Sequence, residues 1–331
     1  MAEIYKTGNL DLLNGKVAVL GYGSQGHAHA LNLHESGVDV VVGLREGSPS
    51  AAAAEEAGLA VASFADAVRG AQLVAFLVPD GAQPELYENE VKPNLEPGAA
   101  LLFAHGFNVH YDRIAPPEGH DVIMVAPKGP GHVVRRLYTE GYGTPAVVAV
   151  AQDASGEAQE LAFAYGAALG AARAGMVVTT FAEETETDLF GEQTVLCGGV
   201  TQLIQLGFET LVEAGYQPEV AYYECLHELK LITDLIWEGG IERMHYSISD
   251  TAEYGSHMVG PKVVDEHVRE NMRAVLKAIQ DGTFAREWVA EMDRGQPILD
   301  EKRQELAATQ IEQVGTRLRA LNVKEETAGV G

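Results

Sequence analysis

Seven short apolar runs separated by alanine-rich stretches occupy the chain from Lys16 to about Phe181 and restrict what it can fold into. They are KVAVLGYG (16–23), VDVVVGL (38–44), QLVAFLVP (72–79), AALLFAHG (99–106), DVIMVAP (121–127), TPAVVAV (144–150) and MVVTTF (176–181). A strand with one face in water alternates apolar and polar residues; these runs do not. Continuous apolar runs suit strands of a parallel sheet covered on both faces, with the intervening helices as the cover. Residues 1–181 are therefore expected to form a doubly wound α/β domain. From Ala182 to about Leu321 the prolines are Pro218, Pro261 and Pro297, and apolar residues recur at three- and four-residue spacing. Residues 182–331 read as an all-helical second domain, with the polar KEETAGVG end expected to fray.

The length of 331 residues suits two domains. Lys+Arg number 23 against 48 Asp+Glu, a formal net charge of −25. That charge argues against nucleic acid or an anionic membrane surface as partner, because both need a basic patch. Any phosphate must be gripped locally. Cys197 and Cys225 are the only cysteines, too few for a disulfide framework and without C-x-x-C spacing. The N-terminus lacks the basic and then apolar order of a signal peptide, and no apolar run reaches the ~18 residues of a membrane span. A soluble cytoplasmic protein is expected.

The first run ends in Gly21-Tyr22-Gly23-Ser24-Gln25-Gly26, a G-x-G-x-x-G between a strand and a helical stretch. Glycines there permit a tight turn, close backbone approach to a pyrophosphate and close helix packing, while the helix N-terminus faces the negative charge. A Rossmann-like dinucleotide site is expected. The second run leads into Arg45, Glu46, Ser48 and Ser50. A guanidinium and two hydroxyls suit a 2′-phosphate, which favours NADPH. Glu46 is either simply solvated or weakens that preference enough to admit NADH.

Two acidic pairs mark the helical half, Asp188 with Glu192 and Glu224 with Glu228. Residues four apart share a helix face, so each pair can offer oxygens to one point. Carboxylates without a Cys/His ligand set describe a site for a hard cation, Mg²⁺ or Mn²⁺. So acidic a chain also places such pairs on solvated faces, but apolar neighbours such as Leu189, Phe190 and Leu226 make these costly unless paired or metal-bound. His105 closes a strand at the carboxyl edge of the sheet, where open α/β folds bind ligands, and Lys128 follows the next strand at the same edge. On position alone, His105 could instead satisfy a backbone carbonyl and Lys128 could be solvated. Gly131 could approach the cofactor or substrate.

The motifs GYGSQGHAHALN (21–32), GLREGSPS (43–50), AHGFNVH (104–110), VAPKGPGH (125–132), ETDLFGEQTVLCGG (186–199), ECLHELKLI (224–232) and SISDTAEYG (247–255) occur in this order. With them the chain resembles the short class of ketol-acid reductoisomerases, also called acetohydroxy-acid isomeroreductases, over almost its whole length. The resemblance implies Mg²⁺-dependent alkyl migration in a 2-acetyl-2-hydroxy acid, then hydride transfer from NADPH to give a 2,3-dihydroxy acid. The implied substrates, 2-acetolactate and 2-aceto-2-hydroxybutyrate, belong to valine, leucine and isoleucine biosynthesis. It implies that Asp188 bridges two Mg²⁺ ions, Glu192 completes one, and Glu224 and Glu228 hold the other. Ser249 would touch substrate, His105 is the active-site histidine, and Lys128 lies near the metals. Either Glu228 or a metal-bound hydroxide would act as base. Tyr22, Gly23, Ser24, Gln25, Arg45, Ser48, Ser50 and the loop Asp80, Gly81, Ala82 and Gln83 would line the cofactor. The family also implies a knotted helical domain and an obligate homodimer whose two chains share each site, with larger assemblies possible. Asp250, Ser256 and His257 depart from the family pattern, so the loop after Gly255 is expected to close over substrate differently. The rival readings are a metal-free hydroxy-acid dehydrogenase with a lysine acid/base and a non-enzymatic NADPH sensor.

Overall fold

A computed structural model of the chain describes residues 2–321. The seven apolar runs all contain strands: β2 (Lys16–Leu20), β3 (Val40–Gly43), β5 (Ala71–Phe76), β6 (Ala100–Phe103), β7 (Val122–Pro127), β8 (Ala146–Gln152) and β9 (Met176–Val178). Two short strands join them, β1 (Ile4–Tyr5) and β4 (Ala60–Ala62), giving one nine-stranded sheet in the order β1-β9-β8-β7-β6-β5-β2-β3-β4. Strand order reverses direction between β2 and β5, the switch point at which doubly wound sheets open a crevice.

The expectation of a parallel sheet needs correction. β7 pairs antiparallel with β8, and β1 pairs antiparallel with β9, so the sheet is mixed. A strand covered on both faces is apolar throughout whichever way it runs, so composition did not carry its direction. β1 and β4 escaped because two- and three-residue strands are too short for a periodic signal.

Eight helices accompany the strands: α1 (Ser24–Glu35), α2 (Ser50–Glu56), α3 (Phe64–Val68), α4 (Gln83–Leu86), α5 (Phe107–His110), α6 (Gly131–Thr139), α7 (Ala158–Leu169) and α8 (Phe181–Gly191). Alternate residues of β2 go to opposite faces: Val17 and Val19 join the core on one side with Leu33, Leu73 and Tyr165. Ala18 and Leu20 join the other with Phe76, Tyr87 and Phe103. Two buried layers back one strand, as the uninterrupted runs require.

The chain divides into compact units between Thr187 and Asp188. In the second, all described elements are helical: α9 (Gly198–Glu213), α10 (Pro218–Tyr222), α11 (Leu229–Tyr246), α12 (Asp250–Val263), α13 (Glu266–Gln280), α14 (Thr283–Asp293), α15 (Pro297–Ala307) and α16 (Gln310–Leu321). A core cluster of Phe208, Ala221, Tyr222, Ile311 and Val314 forms where α9, α10 and α16 meet. The KEETAGVG end lies outside the described residues. The helical stretch Phe181–Glu213 is long and apolar enough by composition to cross a membrane, although no uninterrupted apolar run was expected to be. Polar residues spaced through it hide that average from a reading by runs.

His29 of α1 is fully buried, with Nδ1 2.9 Å from the Tyr165 hydroxyl and no partner on Nε2. Burial lowers its pKa to about 3, so the folded imidazole stays neutral while the unfolded one takes a proton near 6.5. The resulting stability is fully present above pH 6.5 and is lost as pH falls towards 3, at about 1.4 kcal/mol per pH unit. His29→Gln should therefore lose about 2 kcal/mol less than the parent between pH 7 and 5, read from urea midpoints. Equal losses would show that His29 does not carry this titration.

Candidate functional site

The carboxyl ends of β2, β5, β6 and β7 lie side by side at one sheet edge. At the end of β2, Gly21 adopts φ +103 and its N–H donates to Gly43 O at 3.0 Å. The three motif glycines answer different needs. A Cβ on Gly26 would come within 2.3 Å of Gly21 O, so its bareness serves the turn itself. A Cβ on Gly23, the residue capping α1, would meet nothing within 4 Å and would occupy the space that an approaching ligand needs. A dinucleotide fits this cradle: Tyr22 Oη and Gln25 Oε1 are buried polar atoms without a hydrogen-bond partner, and the N-terminus of α1 is an anion site by its geometry. Gln25 Nε2 donates to Gly129 O at 2.9 Å, tying the turn to the loop after β7. Gly131 has a packing role: a Cβ there would lie 2.0 Å from Ser24 O, so only glycine lets the start of α6 approach the start of α1.

Beyond β3, Arg45 and Glu46 are exposed side by side, and Gly47 at φ +71 turns the chain into Ser48 and Ser50. The Ser48 hydroxyl receives the Ser50 N–H at 3.4 Å. Beyond β5, Asp80–Ala82 forms a single 3₁₀ turn on which Gly81 and Ala82 are exposed. Gln83 instead turns inward beneath it, 5% exposed.

The ends of β6 and β7 converge on a residue that sequence reasoning passed over. Glu184, buried on α8, has Oε2 3.0 Å from His105 Nδ1 and Oε1 2.7 Å from Lys128 Nζ. The Gly106 N–H donates to Oε2 at 3.0 Å. A Cβ on Gly106 would lie 2.3 Å from Thr185 Oγ1, so this glycine permits the contact. Burial alone would raise the Glu184 pKa, but the hydrogen bond and charge of His105, then the Lys128 ammonium, outweigh it and hold the carboxyl down at about 2. Glu184 precedes Asp188 by four residues, as Asp188 precedes Glu192, so the sequence held a three-rung acidic ladder of which only the upper two rungs were read.

Asp188 lies on α8, but the other three acids stand in or beside π-helical turns. Glu192 opens a π-helical turn (Glu192–Leu196) closed by Cys197 N–H donating to Glu192 O at 3.0 Å. Glu224 lies in a second such turn (Tyr223–His227), closed by Glu228 N–H to Tyr223 O, also at 3.0 Å. Single π turns of this kind recur at functional sites, where the extra residue re-aims side chains. The pairs are not enclosed by their apolar neighbours within one chain: Glu192, Glu224 and Glu228 are exposed, as are Leu196 and Leu231. Of the apolar neighbours named from sequence, Leu189 is buried and Phe190 and Leu226 are half-buried. Ser249 is the exposed N-cap of α12, its hydroxyl accepting from Ala252 N–H at 3.2 Å. The donor set of Asp188, Glu192, Glu224 and Glu228 is all carboxylate, which suits a hard divalent cation.

Residues 11–175 match the family model for the acetohydroxy acid isomeroreductase NADPH-binding domain, and residues 181–323 match the ketol-acid reductoisomerase C-terminal domain. A ketol-acid reductoisomerase (NADP(+)) of Saccharopolyspora erythraea is 59% identical over 322 residues, covering 96% of this chain and 97% of that one. The solved structure of an NADH-preferring ketol-acid reductoisomerase from an uncultured archaean matches with a TM-score of 0.95 and 48% identity, covering 97% of this chain and 100% of that one. A putative oxidoreductase from Jannaschia, 17% identical with a TM-score of 0.59 over 80% of this chain and 97% of its own, shares the fold. With both family models matched in order along a chain that carries the glycine turn and the strand-end His105 and Lys128, the protein belongs to the ketol-acid reductoisomerase family.

Proposed function

We propose that the protein is a soluble, cytoplasmic ketol-acid reductoisomerase that uses NADPH and two Mg²⁺ ions to convert 2-acetolactate and 2-aceto-2-hydroxybutyrate to 2,3-dihydroxy acids. The observation that carries this reading is the meeting of His105 and Lys128 on Glu184 at the sheet edge that also bears the glycine turn. When bound, Mg²⁺ supplies the Lewis acidity for alkyl migration and NADPH supplies the hydride. Asp188 and Glu192 of one chain would hold the ions together with Glu224 and Glu228 of a second copy. Lys128, its Nζ 2.7 Å from a carboxylate oxygen, would set positive charge beside a developing oxyanion. His105 orients water or cofactor at the same carboxylate. Glu228 is the chain's own candidate for the base that takes the substrate hydroxyl proton. The Ser249 oxygen already accepts from Ala252, which leaves its O–H to donate to substrate.

A second copy of the chain is the proposed cover for the helical unit, as a homodimer or a larger assembly of such dimers. Leu203 and Leu206 on α9, Leu231, Trp237 and Ile241 on α11, and Tyr254 and Met258 on α12 are all exposed, Trp237 by 83%. Apolar surface on this scale marks an interaction face.

Oxidation of NADPH by 2-acetolactate should stop with EDTA and return with Mg²⁺; activity that survives chelation would favour the metal-free dehydrogenase. Asp188→Asn and Glu228→Gln should each be inactive yet bind NADPH. After subunit exchange, an equal mixture should regain about a quarter of the parent rate, because half the dimers are mixed and each mixed dimer has one intact site. No recovery would place both pairs within a single chain's site.

Arg45→Ala should weaken NADPH binding at least about tenfold, the worth of one charge-assisted hydrogen bond, and leave NADH nearly untouched. Equal losses for both would remove Arg45 from the 2′-phosphate.

Glu184→Gln should lower kcat more than about tenfold while NADPH affinity holds, since it releases Lys128 and His105 but leaves the glycine turn intact. The parent carboxylate contributes stability above pH 4.5 that is lost as pH falls towards 2, and the variant should lack that step in acid denaturation. A variant with parental kcat would reduce Glu184 to a packing role.

A further inference from the structure

We propose that Asn108 is a positioning residue that fixes the Asp80–Ala82 turn, and through it the cofactor, against the segment carrying His105. The inference rests on the reading that this turn lines the bound dinucleotide. In the sheet order, β5 lies between β2 and β6, so the turn after β5 stands between the glycine turn and His105.

Asn108 is 1% exposed on α5, and every polar atom of its side chain is used. Its Nδ2 donates to Asp80 O at 3.0 Å and to Gln83 Oε1 at 2.9 Å. Its Oδ1 accepts from Arg113 Nη1 at 3.1 Å. Gln83 passes the chain on, with Nε2 donating to Val78 O at 3.0 Å and Asp80 Oδ1 at 3.2 Å. The polarity of the chain is set at both ends, since the carbonyl oxygens of Asp80 and Val78 can only accept. A guanidinium can only donate, so the atom of Asn108 facing Arg113 must be its oxygen, and its two N–H bonds must point at the turn. That makes the facing atom of Gln83 an acceptor and sends the Gln83 N–H bonds to Val78 and Asp80. Both amides thus have a single allowed orientation.

The backbone is bent to serve this arrangement. Asp112 takes φ +53, a left-handed conformation uncommon outside glycine, and the chain returns so that Arg113 and Ile114 N–H each donate to Asn108 O at 2.9 Å. By contrast, the turn itself holds little: two backbone bonds, Ala82 N–H to Pro79 O at 2.9 Å and Gln83 N–H to Asp80 O, close it. A single 3₁₀ turn is a weak support for ligand contacts, and a saturated buried amide network is a stiff one. The mechanism proposed above uses neither Asn108 nor Arg113, which leaves positioning as what the network does.

NADPH dissociation constants by fluorescence and the kcat/KM split test this on the full-length protein. Asn108→Asp keeps shape and the Arg113 contact but sets oxygens against Asp80 O and Gln83 Oε1. It should raise the NADPH dissociation constant at least about tenfold, without change in the Mg²⁺ concentration for half-maximal rate. Arg113→Met, at a partly exposed site, should raise it about threefold or more, and Arg113→Lys should restore it by donating to the same oxygen. Ala82→Phe, on the outer side of the turn, reports separately whether the turn meets cofactor. If Ala82→Phe alters NADPH affinity while Arg113→Met leaves it within twofold, the positioning role is wrong, whether or not Asn108→Asp folds. If Ala82→Phe changes nothing, the cofactor-lining reading of the turn fails, and the proposal fails with it.

Discussion

A carboxylate taken out of water costs several kcal/mol unless charge and hydrogen bonds are returned to it, and the α/β unit buries Glu184 at the functional edge of its sheet. The return comes from two segments far from it in sequence: the ring of His105 with the backbone N–H of Gly106 after β6, and the ammonium of Lys128 after β7. One buried group therefore fixes the ends of β6 and β7 and the first turns of α8 relative to one another. The same contacts that satisfy Glu184 hold Lys128 and His105 in place, so the stability of this corner and the placement of its reactive groups cannot be varied independently. Cutting one contact leaves the carboxylate short of compensation and frees a reactive side chain at once.

Space is the second constraint on this edge, and glycine supplies it in distinct ways. Gly26 and Gly131 are bare because protein backbone presses on them, whereas Gly23 is bare beside open room. Only the last leaves open space. The distinct roles expected of the motif glycines thus appear in Gly26 and Gly23, while Gly131, outside the motif, is bare for packing, which is why it cannot be assigned to cofactor contact from its bareness alone. Asn108 and Gln83 supply the complementary ingredient, rigidity, behind a turn whose own hydrogen bonding is sparse.

What the sequence made legible follows from which physical signals are local. Strands such as β5 and β7 were readable because burial on both faces leaves an unbroken apolar run, and the glycine turn was readable because its spacing is fixed by the turn. Strand direction was not: the β7–β8 pairing is antiparallel, and nothing in VIMVAP or AVVAVAQ distinguishes that from parallel. Glu184 was hidden for a related reason. Its neighbours in sequence are acidic, as on a solvated face, and only tertiary contact with residues 56 and 78 positions away marks it out. The π turns at Glu192 and Glu224 were illegible because one inserted residue changes the hydrogen-bond register without changing composition. The Asn108 network was equally silent, since an asparagine satisfied in the core and one solvated in a loop are the same letter.

The helical unit poses the opposite problem to Glu184, with apolar groups in water in place of a charge out of it. Tyr223 and Leu231 are exposed, and between them along the chain lie Glu224 and Glu228, also exposed. In the proposed dimer, covering the apolar residues would draw those carboxylates into the interface with them. Two carboxylates per chain, carried towards Asp188 and Glu192 of a partner, would repel one another in a medium of lower dielectric than water. Such an arrangement is tolerable only with cations among the oxygens, and hard divalent ions are what an all-carboxylate donor set accepts. Hydrophobic cover and metal binding would then each favour the other. Association buries the acids that need the metal, and the metal removes the repulsion that opposes association, so loss of either should loosen both.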